Sequence, residues 1–292
     1  MKSFLDYKEE NYKWITSLEG EYFPDYLDQA RVFYKPVIKR FRELALESTS
    51  SVEFFTKINT EPGNSRIQLM RIFRKYTSPE TSVEMLKVKG KESKIIEYFG
   101  GKFRDIKEVQ KILNQRKDND EALIAILYEY KDRGKKGYSL TGMFFEWFEA
   151  KFPVTDESKA GYRISGPTGA GKDIILDSIL KGYPKRTPAD FVIWSRENEP
   201  LIIGFARYDS DRGGAQEDDR IKGYSDNVTD ILSYSKKFNK DLKILFLNEG
   251  PGLLLGSMWS DYGELETRSK GKVMVITGKM LEERLTGKWI ES

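Results

Sequence analysis

The sequence predicts an α/β fold: a mainly helical N-terminal region followed by a core in which helices alternate with the strands of a mixed sheet. Three observations lead there. Residues 1–153 carry apolar side chains at helical spacing. Beyond Pro153 the order of patterns becomes helix, hairpin, helix, strand, helix, strand. At 39% hydrophobic over 292 residues the chain buries a real core, and its length suits one large domain or two ordinary ones.

Each element has its own signal. Residues 25–34 have helix-like apolar spacing and run toward Pro36; residues 37–46 repeat it, with Phe41, Leu44 and Leu46 on one broad face. Residues 107–116, 121–130 and 140–152 predict further helices. The last holds Met143, Phe144, Phe145, Trp147 and Phe148, an aromatic set that reads as core packing. Polar residues 154–160 read as a connection, which divides the chain into regions 1–153 and 154–292. After the Gly-rich residues 166–172, a helix is predicted over 174–180. Strands follow over 189–194 and 201–208, joined by a turn at 195–200. A helix over 216–238 (weakened by Gly223), a strand over 242–247, a helix over 254–266, a strand over 272–277 and a short helix over 281–285 complete the order.

Absences exclude whole classes of chemistry. The chain has 0 Cys and 0 His. Disulfides, thiolate zinc sites, cysteine nucleophiles and every imidazole base are therefore ruled out. A metal must be held by oxygen, which favours Mg²⁺, Mn²⁺ or Ca²⁺. A general base must be Asp, Glu, Lys, Tyr or a metal-bound water. No apolar run approaches the roughly 20 residues that span a bilayer, and the first residues lack a signal-peptide stretch; both predict a cytoplasmic protein. The net charge of +3 does not by itself indicate a polyanionic partner, so local clusters such as Lys87–Lys94 and Lys131–Lys136 carry that argument.

The densest chemical signal is Thr187-Pro-Ala-Asp190-Phe-Val-Ile-Trp, a turn, and Leu201-Ile-Ile-Gly-Phe-Ala-Arg207-Tyr-Asp209-Ser-Asp211. Antiparallel pairing brings the end of the second strand back beside the start of the first, where Asp190 lies. Period-two geometry puts Arg207, Asp209 and Asp211 on one face if the strand continues that far. Carboxylates that hold a divalent cation, together with a positive side chain, suit metal-assisted phosphodiester hydrolysis. Directly after come Gly213 and Gly214, which permit close backbone approach, and the donors Arg212, Gln216 and Arg220, suited to phosphates or base edges.

With these residues in view, the chain resembles the type II restriction endonucleases of the PD-(D/E)XK nuclease superfamily over about residues 160–285. The resemblance rests on Pro188-Ala-Asp190 opening the hairpin, the helix after it, and the strand and turn Leu245-Phe-Leu-Asn-Glu-Gly-Pro-Gly. The segment 174–180, flanked by Asp173 and containing Asp177, stands where the family places a helix often bearing an acid. The resemblance implies a restriction-endonuclease-like core and sequence-specific cleavage of double-stranded DNA, dependent on Mg²⁺ with Mn²⁺ as a substitute. It further implies a homodimer, no nucleotide cofactor, and a bacterial or archaeal cytoplasm, with region 1–153 serving DNA clamping or dimerisation. The chain departs from the pattern. Pro-Asp is replaced by Pro188-Ala-Asp190, and Glu-x-Lys is missing. One register offers Phe205-Ala-Arg207, another Asp209-Ser-Asp211, and a third puts Gly204 and Ala206 at those places and leaves them empty. The expected catalytic set is Asp190, Arg207, Asp209 and Glu217; the expected metal ligands are Asp190, Asp209 and Asp211; and Lys172, Arg212, Gln216 and Arg220 are expected to contact DNA.

Two other readings stand beside this one. Gly166-Pro-Thr-Gly-Ala-Gly171-Lys172 fits the Gly-x-x-x-x-Gly-Lys of a phosphate-binding loop, and Leu245–Glu249 resembles the strand that carries a metal-directed acid in P-loop NTPases. Against a P-loop NTPase using 166–173, Asp173 stands where a Mg²⁺-binding hydroxyl belongs, and Asn248 where the acid belongs. The same loop is also suited to a phosphate of DNA. The remaining alternative is a catalytically decayed nuclease fold that binds DNA without cutting it.

Overall fold

Aromatic residues at helical spacing organise the first of two compact units, Gly20–Asp132. The structure, a computed structural model, describes residues 2–16, 18, 21–116, 121–153, 161–167, 173–209 and 215–292. The side chains of residues 129–138 and 215–220 lie outside the described residues. In the helical unit α1 (Leu27–Leu46), α2 (Ser51–Thr60), α3 (Gly63–Thr77), α4 (Val83–Leu86), α5 (Glu92–Phe99), α6 (Ile106–Gln115) and the start of α7 (Glu121–Lys151) follow one another. Phe41, Phe54, Phe55, Phe73 and Phe103 are buried and touch ring to ring, with Phe41–Phe54 centroids 4.9 Å apart and Phe73–Phe103 centroids 5.2 Å apart. The sequence predicts an interruption at Pro36, but α1 runs through it. Leu27, Ala30, Tyr34, Ile38, Phe41 and Leu44 keep helical spacing across the proline, and burying that stripe outweighs the lost backbone donor. Likewise the helices predicted over 121–130 and 140–152 are a single helix, α7.

The second unit joins the first residues, Met1–Glu19, to Arg133–Ser292, so its limit falls inside α7 rather than at 153/154. The physical reason lies in Phe144, Phe145 and Phe148, which pack into the same core as the sheet; Phe144 lies 5.0 Å from Phe191, ring to ring. The elements are β1 (Arg163–Ser165), β2 (Ile174–Ile175), α8 (Leu176–Ile179), β3 (Pro188–Ala189), β4 (Phe191–Trp194), β5 (Pro200–Tyr208), α9 (Ala215–Lys237), β6 (Lys243–Glu249), α10 (Met258–Arg268), β7 (Val273–Ile276), α11 (Leu281–Arg284) and α12 (Gly287–Glu291). A five-stranded sheet has the order β1-β4-β5-β6-β7. The pairs β1/β4 and β4/β5 are antiparallel, and β5/β6 and β6/β7 are parallel. The fold is therefore α/β with a mixed sheet, and a parallel half reached through α9 and α10. Those parallel strands are covered on both faces, which explains the unbroken apolar runs Ile244–Leu247 and Val273–Ile276.

The predicted helix over 174–180 is mostly a different structure. Ile174 and Ile175 form β2, paired with β3 through Ile174↔Ala189, and only the single turn α8 follows. Two adjacent β-branched residues favour the extended form, and Leu176 N–H extends the ladder by donating to Thr187 O at 2.9 Å. Among the described residues no helix is long and apolar enough to cross a membrane.

A buried ion pair closes this unit. Arg284, 1% exposed, donates from Nη2 to Glu266 Oε1 at 2.7 Å and from Nη1 to the Val275 carbonyl. The Glu266 carboxylate also accepts N–H groups of Phe4 and Val275, each at 2.8 Å. One carboxylate thus fastens the N-terminal 3₁₀ segment Phe4–Trp14, α10, β7 and α11. Losing one partner of such a pair leaves the other charged and unsatisfied in low dielectric. Arg284→Met is expected to cost about 3–5 kcal/mol in denaturant unfolding, and adding Glu266→Gln should recover part of the loss by removing the orphaned charge. Equal or greater loss in the double variant would contradict this account.

Candidate functional site

The site begins where the chain changes sheets. β3 pairs with β2, β4 pairs with β1 and β5, and Asp190 is the single residue between them. Its N–H donates to Gly204 O at 3.0 Å, and its Oδ2 accepts the Ala206 N–H at 2.8 Å. The carboxylate therefore satisfies a β5 donor just beyond the last paired residue of β4, Phe191, which faces Gly204. Hairpin pairing brings the end of β5 beside Asp190, as the sequence predicts.

Gly204 and Ala206 are the β5 residues bonded to Asp190, and neither carries a charge. The reason is steric. A Cβ on Gly204 would come within 2.0–2.2 Å of the Phe191 ring, which lies directly over the glycine. An acid at 204 and a phenylalanine at 191 cannot share that space.

Charge reaches the site from the end of β5 instead. Arg207 Nε donates to Asp209 Oδ1 at 2.5 Å. Burial disfavours the guanidinium charge, but the Asp209 carboxylate and Tyr224 of α9 more than offset it, so the Arg207 pKa is raised. Asp209 lies just past β5 and is 4% exposed. The turn after β6 fixes it. Asp209 N–H donates to Glu249 O, and Gly252 N–H donates to Asp209 O, both at 2.8 Å. Gly250 makes that closure possible: its φ is 101°, and a Cβ there would meet Asp209 O at 2.3 Å. The strand ends at Tyr208, so the common face proposed for Arg207, Asp209 and Asp211 is not continued by β5.

Gly166 and Asp173, on either side of residues 168–172, both bear on Asp190. A Cβ on Gly166 would come within 2.4 Å of Asp190 O, and the exposed Asp173 is near enough for its charge to act on the Asp190 carboxyl. Burial pushes that carboxyl up to about 6; the Ala206 N–H opposes the shift, Asp173 adds to it, and Arg207 opposes it. Asp173, which counts as a flaw when the segment is read as a nucleotide loop, thus belongs to the Asp190 cluster. Tyr224 is the member that the sequence patterns did not single out. It lies on the sheet-facing side of α9, with its ring 4.9 Å from that of Phe246, a placement that helical periodicity marks only as core.

The remaining expected residues divide as follows. Lys172, Asp211 and Arg212, and the side chains of Gln216, Glu217 and Arg220, lie outside the described residues, as do the side chains of 131–136. Among the described residues no group of three or more acidic side chains is placed to hold a metal ion. The charge of Asp173 acts on the Asp190 carboxyl, whereas Asp209 has its Oδ1 on Arg207. Asn248 and Glu249 are both fully buried. Glu249 accepts N–H groups from Thr16, Gly250 and Gly278 at 2.7, 3.1 and 2.8 Å, which uses that carboxylate to hold the fold. Past Asp173 the chain enters β2 rather than a long helix, so a helix N-terminus of the kind that binds nucleotide phosphates does not follow directly. Comparison with protein-family models, with curated proteins and with solved structures finds no match to the chain.

The raised Asp190 pKa has a consequence for stability. A carboxyl with a folded pKa near 6 and an unfolded value of 3.8 takes up its proton more readily in the fold. Its stabilising contribution is complete below pH 3.8 and is lost as pH rises through 6. Ionised Asp190 therefore opposes folding at neutral pH. Asp190→Asn keeps an acceptor for Ala206 N–H and is expected to stabilise the cation-free protein by roughly 2 kcal/mol at pH 7.5, with no gain near pH 4. Thermal unfolding at the two pH values checks this, and a destabilised variant at pH 7.5 would refute it.

Proposed function

We propose that the chain is a divalent-cation-dependent, sequence-specific endonuclease of double-stranded DNA with a restriction-endonuclease-like core. The observation that carries this reading is Asp190: a carboxylate with its pKa raised, at a sheet junction, within the field of a second carboxylate, Asp173, and of Arg207. The donor set fits Mg²⁺ or Mn²⁺. It is all oxygen, and Mg²⁺ is commonly held by one or two carboxylates with waters and substrate phosphate completing its shell. The mutual repulsion of Asp173 and Asp190 is what a bound cation relieves. When bound, the cation supplies an acidified water and offsets charge on the phosphodiester. Asp190 and Asp173 would hold it, Arg207 faces the charge that develops on phosphorus, and Asp209 orients Arg207. Lys172, Arg212, Gln216 and Arg220 are assigned to DNA on their sequence pattern alone. ATP has no part in this reading.

The test is incubation of a mixed-sequence plasmid with the protein in Mg²⁺, with and without EDTA and ATP. Discrete fragments are expected in Mg²⁺ without ATP and none in EDTA. Asp190→Asn should abolish cleavage, and Arg207→Ala should slow it on the order of 10²–10³-fold. Full activity in Asp190→Asn, or cleavage that requires ATP, would defeat the assignment; specific DNA binding without cleavage would point to a decayed nuclease.

One carboxylate centre per chain cuts one strand, so two chains related by a twofold axis are assigned to a duplex cut. Sedimentation of the protein on a cleavable duplex in Ca²⁺ should show two chains per DNA. A monomeric complex that severs both strands together would count against the dimer.

A further inference from the structure

The face of the sheet that carries Arg207 is packed with aromatic rings. Phe205 and Arg207 are two apart on β5, so they project to the same side. β6 pairs with β5 in register, Phe205 with Phe246 and Arg207 with Asn248. The Phe205 and Phe246 rings stack with centroids 5.3 Å apart. Tyr224 of α9 packs on both, 5.9 Å from Phe205 and 4.9 Å from Phe246. Tyr262 of α10 lies 6.0 Å from Tyr224 and 6.2 Å from Phe246, ring to ring.

This packing brings a phenolic oxygen against the cation. A guanidinium has donors only, so the Tyr224 oxygen meets Arg207 as an acceptor, and the contact helps to keep the buried Arg207 charged. The same hydroxyl lies in the field of Asp190 and Asp209. Behind it the fully buried Tyr262 hydroxyl faces the fully buried Asn248 amide. Arg207 is thus held from two elements, by Asp209 just past β5, whose Oδ1 accepts from Nε at 2.5 Å, and by Tyr224 from α9. A long side chain with one contact keeps rotational freedom, and a second contact from a separate element removes it. A phenylalanine at 224 would pack equally well on Phe205 and Phe246, so the rings alone do not call for the hydroxyl.

We infer that Tyr224 is a positioning residue, whose hydroxyl fixes the Arg207 guanidinium in the field of Asp190. It acts through Arg207 and does not itself meet the substrate. A cation that stabilises charge as it develops is effective only if it is already aimed when the reaction begins. The effect of Tyr224 on cleavage rests on the proposed endonuclease; its contact with Arg207 does not.

Tyr224→Phe is compared with the wild type in two measurements on the full chain. In the first, without DNA or metal, hydrogen exchange of the Arg207 Nε–H is followed by nitrogen-15 NMR, the signal being identified by its loss in Arg207→Lys. Exchange is expected to be on the order of tenfold faster in Tyr224→Phe. In the second, plasmid cleavage in Mg²⁺ is followed under single-turnover conditions. Tyr224→Phe is expected to slow it on the order of tenfold, with DNA affinity in Ca²⁺ unchanged. It should slow Arg207→Ala no further, because a residue that acts through Arg207 has nothing to act on once that side chain is gone. Tyr234→Phe removes another hydroxyl of α9, one that donates to Lys181 O at 3.0 Å, and should leave both readings at the wild-type value. Unchanged exchange in Tyr224→Phe, an equal change in Tyr234→Phe, or slowing that multiplies with that of Arg207→Ala would overturn the assignment. A wild type that cuts no DNA, with exchange that still responds to Tyr224→Phe, removes only the endonuclease; a wild type that cuts, with exchange unaffected, removes only the positioning role.

Discussion

At Asp190 a carboxylate does the work of a strand. The chain leaves its pairing with β2, has not yet joined β5, and would strand the Ala206 N–H if the residue there had no acceptor. The hydrogen bond from Ala206 to Oδ2 closes that gap, and it also brings an ionisable group into the half-buried edge of the sheet. The raised pKa, the proximity of Asp173, and the bonding of Arg207 to Asp209 rather than to Asp190 all follow from where this junction lies. One side chain thus both completes the backbone pairing and carries a charge whose burial is unfavourable.

The parallel half of the sheet was legible because strands covered on both faces must be apolar throughout, as Ile244–Leu247 and Val273–Ile276 are. The hairpin was legible because two β-rich runs flank a polar turn. Helix ends were less so. Pro36 and the stretch 131–139 look like breaks to local rules, yet α1 and α7 pass through them. For α1, tertiary burial outweighs propensity. Ile174-Ile175 reads as the start of a helix until its partner strand, fourteen residues on, is known. The proximity of Asp190, Arg207 and Asp209 was legible because hairpin geometry brings strand ends together. Their register was not, since it depends on Phe191 lying across Gly204, a contact between strands that no local pattern encodes. Asp173 was visible both as a departure from the phosphate-loop pattern and as the acid flanking the segment 174–180, but the helix expected to follow it is largely β2.

The chain also manages its proton chemistry without imidazole. With 0 His, a response to pH near neutrality must come from groups moved there by their surroundings, and Asp190 at about 6 is one. Glu249, also raised by burial, shows the contrasting use: three backbone donors hold it in place. Two carboxylates raised by burial thus differ in what holds them: Glu249 accepts three backbone donors and Asp190 one.

The Phe4–Glu266 hydrogen bond joins residues 262 apart in sequence, with the whole of Gly20–Asp132 lying between the two segments of its unit. During synthesis from the ribosome, the helical unit is therefore complete in chain terms long before Glu266 and Arg284 emerge. Its contacts are local and quick to form, whereas the sheet unit must keep its first segment unsatisfied until the last helices arrive. The early-folding helical insert shortens the effective loop that the closing contact has to span, turning a long chain entropy penalty into the docking of two nearby ends. Nascent protein should thus pass through a stage in which an all-helical module is folded and the sheet is not.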